Sequence, residues 1–303
     1  MSAQATLVIT TKNRRDDLRT ALLSAQTQSV SLELLIIDDG STDGTSEMVR
    51  EEFPSAQLHR FETSRGLIAQ RNRGAQLATT PIILSMDDDA AFVSPETVAQ
   101  TLREFDDERV GAVAMPFVDV RYGPEIHNRA PAEDQIYATE AFRGTAHALR
   151  REVFLQLGGY REQLIHQGEE RDFCLRLLNA GYITRAGSAD PLHHFESPRR
   201  DTSRMDFYGR RNDVLFAWHN LPRRVLFSHL LGTIVNGIRF GLRVRRPLRM
   251  LKGLGAGLFS LARERSARAP VSLETYYLHR ELRSRRAIPL REIEGRLVAL
   301  SEG

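Results

Sequence analysis

The sequence is poor in cysteine, in long apolar runs and in tryptophan. Cys174 is the single cysteine among 303 residues, so no intramolecular disulfide and no cysteine-rich metal site can form. Residues 1–7 lack a basic segment followed by an apolar one, so we expect no secretory signal. The longest uncharged C-terminal stretch, 225–238, is shorter than the roughly 20 residues of a membrane span. We expect a cytoplasmic protein that is either soluble or held as a peripheral protein at the inner face of the cell membrane.

Acidic residues are scarce in the last third of the chain. Residues 199–303 contain 22 Lys and Arg against 9 Asp and Glu, whereas residues 1–198 contain 20 against 30. The net charge of +3 therefore divides into −10 and +13. With 41% hydrophobic and 27% charged residues the composition is globular, which argues against a disordered or polytopic membrane protein. The asymmetry indicates an anionic partner for the basic part.

Short apolar runs alternate with helical patterns through the first 90 residues. Such alternation predicts βαβ units, right-handed crossovers and a mostly parallel sheet. Ligands of these sheets bind beyond the carboxyl ends of the strands. We predict strands at 6–10, 34–37, 58–61 and 82–86, and helices at 18–25, 46–53 and 67–77.

Three consecutive aspartates, Asp87, Asp88 and Asp89, follow the fourth predicted strand. In an extended turn Asp87 and Asp89 point to one side and Asp88 to the other. Close carboxylates repel unless a cation neutralises them, and hard oxygen ligands suit Mg²⁺ or Mn²⁺. The alternative is a solvated acidic turn that caps the helix suggested by the sequence 94–96.

Several segments, taken in order, resemble the family 2 glycosyltransferases. They are 10–14 (TTKNR), 36–45 (IIDDGSTDGT), 66–74, 85–89 (SMDDD), 158–160 (GGY), 168–172 (GEERD) and the histidine pair 193–194. Together they cover roughly residues 5–197, and their order is more specific than any single motif.

The resemblance implies an α/β protein with the GT-A fold, a Rossmann-like, mostly parallel sheet with flanking helices. It implies a glycosyltransferase domain over residues 1–198, with a nucleotide-binding part at about 1–115 and an acceptor-binding part at about 116–198. Beyond it, residues 199–303 are expected to form a basic, mostly helical C-terminal region.

Residues of the nucleotide site are carried over from the resemblance. Thr10 and Asp39 correspond to contacts of the donor base, and Asn13 and Arg14 lie in the same cofactor-binding motifs. Arg71 corresponds to a further nucleotide contact, with Gln70 or Arg73 as alternatives.

The aspartate triplet resembles the DXD motif of that family. The resemblance implies Asp89 as a metal ligand, Asp87 or Asp88 as a contact on the ribose side, and Asp87 as a possible second ligand. His193 corresponds to a late histidine that completes the metal shell, with His194 as the alternative. The implied cofactor is Mn²⁺ or Mg²⁺.

An inverting transfer needs a general base that takes the proton of the acceptor hydroxyl. Glu170 stands where the family usually has an aspartate base, and Asp172 is the second choice. Alternatively, the acidic residues of this segment simply interact with the dipole of the helix that follows.

The basic C-terminal region leaves three interpretations open. Its helical apolar positions, flanked by arginines, suit an anionic membrane surface. The region could equally pack on the acidic catalytic domain. Arg210 and Arg211 could close over the donor diphosphate. Nucleic-acid binding is not expected, because no recognition motif accompanies the charge.

These observations predict an inverting, metal-dependent glycosyltransferase, a hexosyl- or related transferase. It would move a sugar from a nucleotide-sugar donor to a hydroxyl of a glycan or lipid-linked acceptor, in the synthesis of cell-surface polysaccharide or glycoconjugate. One alternative is a sugar-nucleotidyltransferase on a similar sheet, although no glycine-rich and basic phosphate loop follows the first strand. Another is a non-catalytic lipid- or nucleic-acid-binding protein.

Overall fold

A computed structural model describes residues 3–196 and 201–300. The strands are β1 (Ala5–Thr11), β2 (Leu32–Asp38), β3 (Gln57–Arg60), β4 (Ile82–Asp87), β5 (Ala90–Ala91), β6 (Val110–Ala114), β7 (Phe117–Asp119), β8 (Ile126–His127), β9 (Tyr137–Thr139), β10 (Ala146–Arg150), β11 (Ile183–Ala186), β12 (Leu192–His194) and β13 (Ala287–Pro289). The helices are α1 (Arg15–Gln26), α2 (Thr45–Glu52), α3 (Leu67–Leu77), α4 (Thr97–Arg103), α5 (Arg151–Gln156), α6 (Glu169–Asn179), α7 (Thr202–Asn220), α8 (Arg223–Arg243), α9 (Pro247–Ser260), α10 (Leu273–Arg285) and α11 (Leu290–Ile293).

A nine-stranded sheet forms the centre of the molecule, in the order β13-β9-β11-β6-β10-β4-β1-β2-β3. β1 pairs in parallel with β2 and β4, and β2 in parallel with β3, as the alternating pattern predicted. Only β10 and β9 run against the other strands of this sheet. The expected mostly parallel α/β sheet with flanking helices is confirmed.

The central strands are apolar along their whole length because both faces of the sheet are covered. In β2, Leu34 and Ile36 belong to one buried cluster, and Leu35 and Ile37 to another on the opposite face. The polar residues that follow these strands therefore meet at one edge of the sheet.

A second, four-stranded sheet lies at that edge, in the order β5-β12-β7-β8. β5 follows the aspartate triplet directly and pairs antiparallel with β12, with His194 opposite Ala90. β12 also pairs in parallel with β7, with His194 opposite Asp119. This small sheet brings residues from three distant parts of the chain beside the tip of β4.

The C-terminal region is mostly helical, as expected, but it returns to the main sheet. β13 pairs antiparallel with β9 and forms an edge strand of the nine-stranded sheet. Residues beyond 199 thus share a sheet and a core cluster with residues before 198, and the predicted division into 1–198 and 199–303 stays a prediction. The residues at the proposed boundary, 197–200, lie outside the described part of the chain.

Helix α8 is longer than the uncharged stretch on which we based the expectation of no membrane span. Its 21 residues have a mean hydropathy of 1.4 over the most apolar window, and 17% of that window is buried. By length and composition it meets the criteria of a membrane-crossing helix.

Helix α3 packs closely on β1 at Gly74. A Cβ atom at this position would lie 2.4 Å from Cγ1 of Val8. We expect Gly74→Ala to lower the free energy of unfolding by about 1–3 kcal/mol, because one of the two elements must shift. The matched control is Gly232→Ala in α8, where a Cβ would meet nothing within 4 Å and where alanine favours the helix. Thermal unfolding of both variants measures the difference, and equal melting temperatures would contradict the packing argument.

Candidate active site

Asp87, Asp89 and His194 form a cluster at the carboxyl end of β4. One potential ligand atom of each lies within 4.8 Å of those of the other two. Asp87 ends β4, Asp89 lies in the turn that follows, and His194 comes from β12. As the sequence predicted, Asp87 and Asp89 address the same space.

His194, rather than His193, occupies this cluster, which corrects the predicted preference for His193. Side chains alternate along a strand, so His194 shares the inward face of Leu192 while His193 points the other way. His194 is buried and its Nε2 lies 3.4 Å from Oδ1 of Asp89. His193 instead makes an edge contact with Phe195, an exposed residue.

Asp119 fixes the orientation of the His194 ring. Nδ1 of His194 donates to Oδ1 of Asp119 at 2.5 Å, which leaves Nε2 facing the aspartates. Burial lowers the pKa of His194, but the hydrogen bonds with Asp89 and Asp119 outweigh it and raise this pKa to about 9. Carboxylate-to-histidine pairs of this kind orient metal-binding imidazoles in many proteins.

Asp88 faces away from the cluster, as expected from its position in the turn. Its Oδ2 accepts a hydrogen bond from Thr11 at 2.8 Å, and burial raises its pKa to about 7. Arg14 lies between the two carboxylates, with Nη1 at 2.6 Å from Asp89 and 3.4 Å from Asp88. The predicted cofactor residue Arg14 therefore contributes positive charge directly at the triplet.

The carboxylate of Asp39, predicted to contact the donor base, is already enclosed by the loop before α3. It accepts hydrogen bonds from the backbone of Arg65 and Gly66, at 2.7 and 3.0 Å, and from the side chains of Ser64 and Gln70, at 2.5 and 2.6 Å. Burial raises the pKa of Asp39, but these hydrogen bonds outweigh it and the net shift is downward. Gln70, an alternative to Arg71 in the prediction, thus positions Asp39.

Thr10 and Asn13 lie at the tip of β1, near the triplet. Thr10 pairs with Asp87 across the sheet, and its hydroxyl is buried without a hydrogen-bond partner among the described residues. Oδ1 of Asn13 accepts from the backbone of Thr42 at 2.7 Å, and the Asn13 backbone donates to Ser41. The Asn13 side chain therefore holds the tips of β1 and β2 together.

Arg71 is buried, with 5% of its side chain exposed, and its role as a nucleotide contact stays a prediction. Nη2 donates to Asp87 at 2.7 Å and to the carbonyl of Gly144 at 2.9 Å. Nη1 lies 3.4 Å from Glu169 and 3.6 Å from Glu170. The guanidinium of Arg71 thus connects the Asp87–Asp89–His194 cluster with the start of α6, which carries the predicted base Glu170. Arg73, the other alternative, interacts with Gln76 on the exposed side of α3.

Glu169 and Glu170 begin helix α6 and differ in their surroundings. Glu169 is 2% exposed, and its Oε2 lacks a hydrogen-bond partner among the described residues. Burial, with repulsion from Glu170, raises the pKa of Glu169 to about 8. The Glu170 side chain retains 20% of its exposure, so solvent or a substrate can reach it.

Asp172, the second choice for the base, is a structural residue. Its side chain is fully buried, accepts from Arg161 at 2.5 Å and Arg176 at 3.0 Å, and also accepts from Asn220 at 2.7 Å. Burial raises the pKa of Asp172, but the arginines and Asn220 outweigh it and hold this pKa below its ordinary value. A carboxylate that two arginines and an asparagine already engage is not free to take a proton from the hydroxyl of an acceptor substrate. This corrects the prediction of Asp172 as the second choice for the base.

Two site residues were missed by sequence reasoning. Asp119 lies in no motif and reaches His194 only through the pairing of β7 with β12. The choice of His194 could have been made from the sequence, since the apolar Leu192 marks the inward face of the strand. The second is the buried Glu169, which lies in the segment 168–172 but to which the sequence assigns no role of its own.

The chain has the GT-A fold of solved glycosyltransferase structures, and the cluster of carboxylates, histidine and arginine lies at the carboxyl ends of its strands. Residues 6–160 match the family described as Glycosyl transferase family 2. The match covers half of the chain, and the protein belongs to this family.

Two relatives agree with this assignment. The chain is 29% identical over 196 residues to the succinoglycan biosynthesis protein ExoU of Rhizobium meliloti (strain 1021), covering 58% of this chain and 57% of that protein. It is 28% identical over 217 residues to an uncharacterized glycosyltransferase of Haemophilus influenzae, covering 65% and 70%. The chain thus spans little more than half the length of the first of these relatives.

Solved structures share the fold. The mannosyltransferase PcManGT from Pyrobaculum calidifontis, in complex with GDP-Man and Mn²⁺, superposes with a TM-score of 0.57 at 20% identity, over 94% of this chain and 80% of that one. S. aureus TarS 1-349 superposes with a TM-score of 0.61 at 15% identity, over 93% and 88%. These similarities extend into the C-terminal helices of this chain.

The raised pKa of Glu169 predicts a pH-dependent stability. The folded protein keeps a proton on Glu169 up to about pH 8, whereas the unfolded chain loses it near pH 4.5. The stabilising contribution is therefore present below pH 4.5 and is lost as the pH rises to about 8, at no more than about 1.4 kcal/mol per pH unit.

The substitution Glu169→Gln removes this ionisation. As the pH rises from 5 to 8, the free energy of unfolding of the variant should therefore fall less than that of the wild type. Urea unfolding at several pH values measures the difference. Parallel pH profiles of the two proteins would show that Glu169 does not carry the raised pKa.

Proposed function

We propose that this protein is an inverting, metal-dependent transferase that moves a hexosyl or related sugar from a nucleotide-sugar donor to an acceptor hydroxyl. The observation that carries the proposal is the chain of contacts from the Asp87–Asp89–His194 cluster through Arg71 to Glu170. The carboxylates and histidine of this cluster and the reachable carboxylate of Glu170 lie on either side of one buried guanidinium, which supports the proposal. Neighbours of this fold bind such donors, GDP-Man in PcManGT and UDP-GlcNAc in TarS.

The side chains of the cluster suit Mn²⁺ or Mg²⁺. Asp87 and Asp89 offer hard oxygen ligands, and His194 offers Nε2 because Asp119 holds its Nδ1. These three residues would hold the ion, in place of the predicted set with His193. A bound dication would stabilise the negative charge that develops on a leaving nucleoside diphosphate.

Residues around the cluster would orient the donor. Arg14 is close enough to Asp88 and Asp89 to meet a diphosphate at the same tip. Thr10, Asn13 and Asp39 line the neighbouring strand ends, where the donor nucleoside would bind beyond the sheet. Because residues 64–66 already donate hydrogen bonds to Asp39, this loop would have to move for Asp39 to contact the nucleotide base of the donor.

Glu170 is the proposed general base. It lies in the first turn of α6 and is partly exposed, so its carboxylate can face an acceptor hydroxyl. Its Oε1 also lies 3.6 Å from Nη1 of Arg71, which contacts the proposed metal ligand Asp87. Glu169 behind it is buried, and burial raises the pKa of Glu169 to about 8. A carboxylate in this position takes the hydroxyl proton as the new glycosidic bond forms.

The acceptor is proposed to be a glycan or a lipid-linked saccharide, in the synthesis of a cell-surface polysaccharide or glycoconjugate on the cytoplasmic side of the membrane. Support comes from the relative named for succinoglycan biosynthesis. Screening nucleotide sugars by release of nucleoside diphosphate, with Mn²⁺ present, tests the proposal. If no nucleotide sugar binds or is hydrolysed, the proposed activity is wrong.

Glu170→Gln should lower kcat by about 10²- to 10⁴-fold and leave the KM for the donor nearly unchanged, because the amide cannot accept the proton. Asp172→Asn is the matched control: it leaves Glu170 in place but breaks a buried ion pair, at a cost of about 3–5 kcal/mol in stability. Steady-state kinetics and thermal unfolding separate the two effects. An unchanged kcat in Glu170→Gln would exclude it as the base.

Asp119→Asn should weaken Mn²⁺ binding by about 10- to 100-fold, because the His194 ring loses its orienting partner. Since metal must displace the proton that His194 holds up to about pH 9, affinity should rise with pH through this range. Calorimetric titration with Mn²⁺ measures both effects. His193→Ala serves as the control and should bind Mn²⁺ normally; the reverse result would return the ligand role to His193.

A further inference from the structure

Helices α8 and α9 form a layer that packs closely on α7, and glycines allow the close approach of these helices. Gly237 and Gly241 of α8 face Leu254 and Met250 of α9, where an added Cβ would lie 3.1 and 2.8 Å from these side chains. On the next side, a Cβ at Gly253 of α9 would lie 2.4 Å from the carbonyl oxygen of Phe207 in α7. The α8–α9 layer therefore sits firmly on α7.

Within the described part of the chain, this layer exposes large apolar side chains to solvent. Its most exposed residues are Phe227 (79%), Leu242 (62%), Leu248 (73%) and Phe259 (72%). In α8 the three most exposed apolar residues, Phe227, Leu231 and Leu242, recur at a helical spacing that forms one stripe. Exposed apolar surface of this kind normally marks an interaction site. We refer to the surface formed by these residues and the neighbouring Lys and Arg side chains as the α8–α9 face. Its apolar members are Phe227, Leu231, Leu242, Leu248 and Phe259.

The charge on this layer has one sign. Between Asp213 and Glu264 the chain contains no acidic residue, and it contains nine Lys and Arg. Those on α8 and α9 or the turn between them that are exposed include Arg223, Arg224, Arg239, Arg243, Arg245 and Lys252. A second copy of the chain would bring like charges together at this face, whereas an anionic bilayer would neutralise them.

The layer suits the surface of a bilayer better than a crossing of it. Helix α8 would reach about 31 Å at 1.5 Å per residue, but α9, with 14 residues, reaches only about 21 Å. One side of α8 is occupied by α9, and α9 is held against α7. A crossing α8 would have to leave these contacts, while a flat layer keeps them.

We propose that the α8–α9 face is an interfacial membrane anchor, which binds anionic phospholipid with its aromatic and leucine side chains among the acyl chains and its arginines at the headgroups. The anchor is joined to the proposed active site through α7. Asn212 of α7 donates to the carbonyls of Leu164 and Gln167, just before α6, and Asn220 donates to Asp172 in α6. Docking would thus hold the start of α6 at a fixed height above the membrane.

Flotation of the full chain with vesicles tests the proposal. We expect binding to phosphatidylcholine vesicles that contain about 30% phosphatidylglycerol, and binding at least about tenfold weaker to phosphatidylcholine alone. Phe227→Ser combined with Phe259→Ser should lower binding to the anionic vesicles at least about tenfold, and so should Arg239→Ser combined with Lys252→Ser. Alkaline carbonate should release the bound protein, as it does for interfacial proteins.

Two substitutions on helices α1 and α2, outside the α8–α9 face, serve as controls. Leu23→Ser in α1 removes an apolar residue that is 52% exposed, and Arg50→Ser in α2 removes an exposed arginine. Both should bind vesicles like the wild type, and all variants should keep the wild-type melting temperature.

Each other result would overturn the proposal. A folded protein that ignores anionic vesicles, or binds neutral ones equally well, contradicts the anchor. Resistance to carbonate would make α8 a spanning helix. A dimer in light scattering that the phenylalanine variant abolishes would assign the face to a second copy of the chain. Binding is measured without donor or acceptor, so failure here leaves the proposed transfer reaction untouched.

Discussion

The buried guanidinium of Arg71 is the constraint around which the site is arranged. A desolvated cation is costly unless carboxylates surround it, and Asp87, Glu169 and Glu170 do so. Burial opposes its charge, yet these carboxylates raise the pKa of Arg71 above its ordinary value. Gly144 is glycine for the same reason: a Cβ there would lie 2.5 Å from Oε1 of Glu170 and 3.0 Å from Nη1 of Arg71. The position of β4 relative to α6, and hence of the proposed metal ligands relative to the proposed base, follows from this one cluster of charges.

Buried charges also join the C-terminal region to helix α6. Asp172 is buried one turn from Glu169, and its two arginines and Asn220 connect α6 to the end of α7. β13 then completes the main sheet beyond the helices. The basic region is therefore neither a free tail nor a simple counterweight to the acidic half. Part of it supports α6, and the α8–α9 face is left on the outside, where a membrane could meet it.

The alternation of strands and helices in the first 90 residues follows from local periodicity, and the structure contains each predicted element within a few residues. Helix α3, predicted over 67–77, has these bounds. The strand tips were equally readable, because apolar strands buried on both faces end abruptly in polar residues. Predictions further along the chain were weaker. The second sheet, formed from two- and three-residue strands, has no periodic signal long enough to detect, and it is this sheet that supplies His194 and Asp119.

The sequence by itself determined the fold class, the acidic strand tips and Glu170 as a carboxylate at the start of a helix, because each depends on neighbours within a few residues. The tertiary structure alone decided that Asp172 is neutralised by Arg161 and Arg176, and that Arg71 is buried between two acidic groups. It also decided that His194 meets a carboxylate 75 residues away. A side chain's chemistry depends on the charges and the solvent around it, and in this protein those surroundings are assembled from segments far apart in the chain.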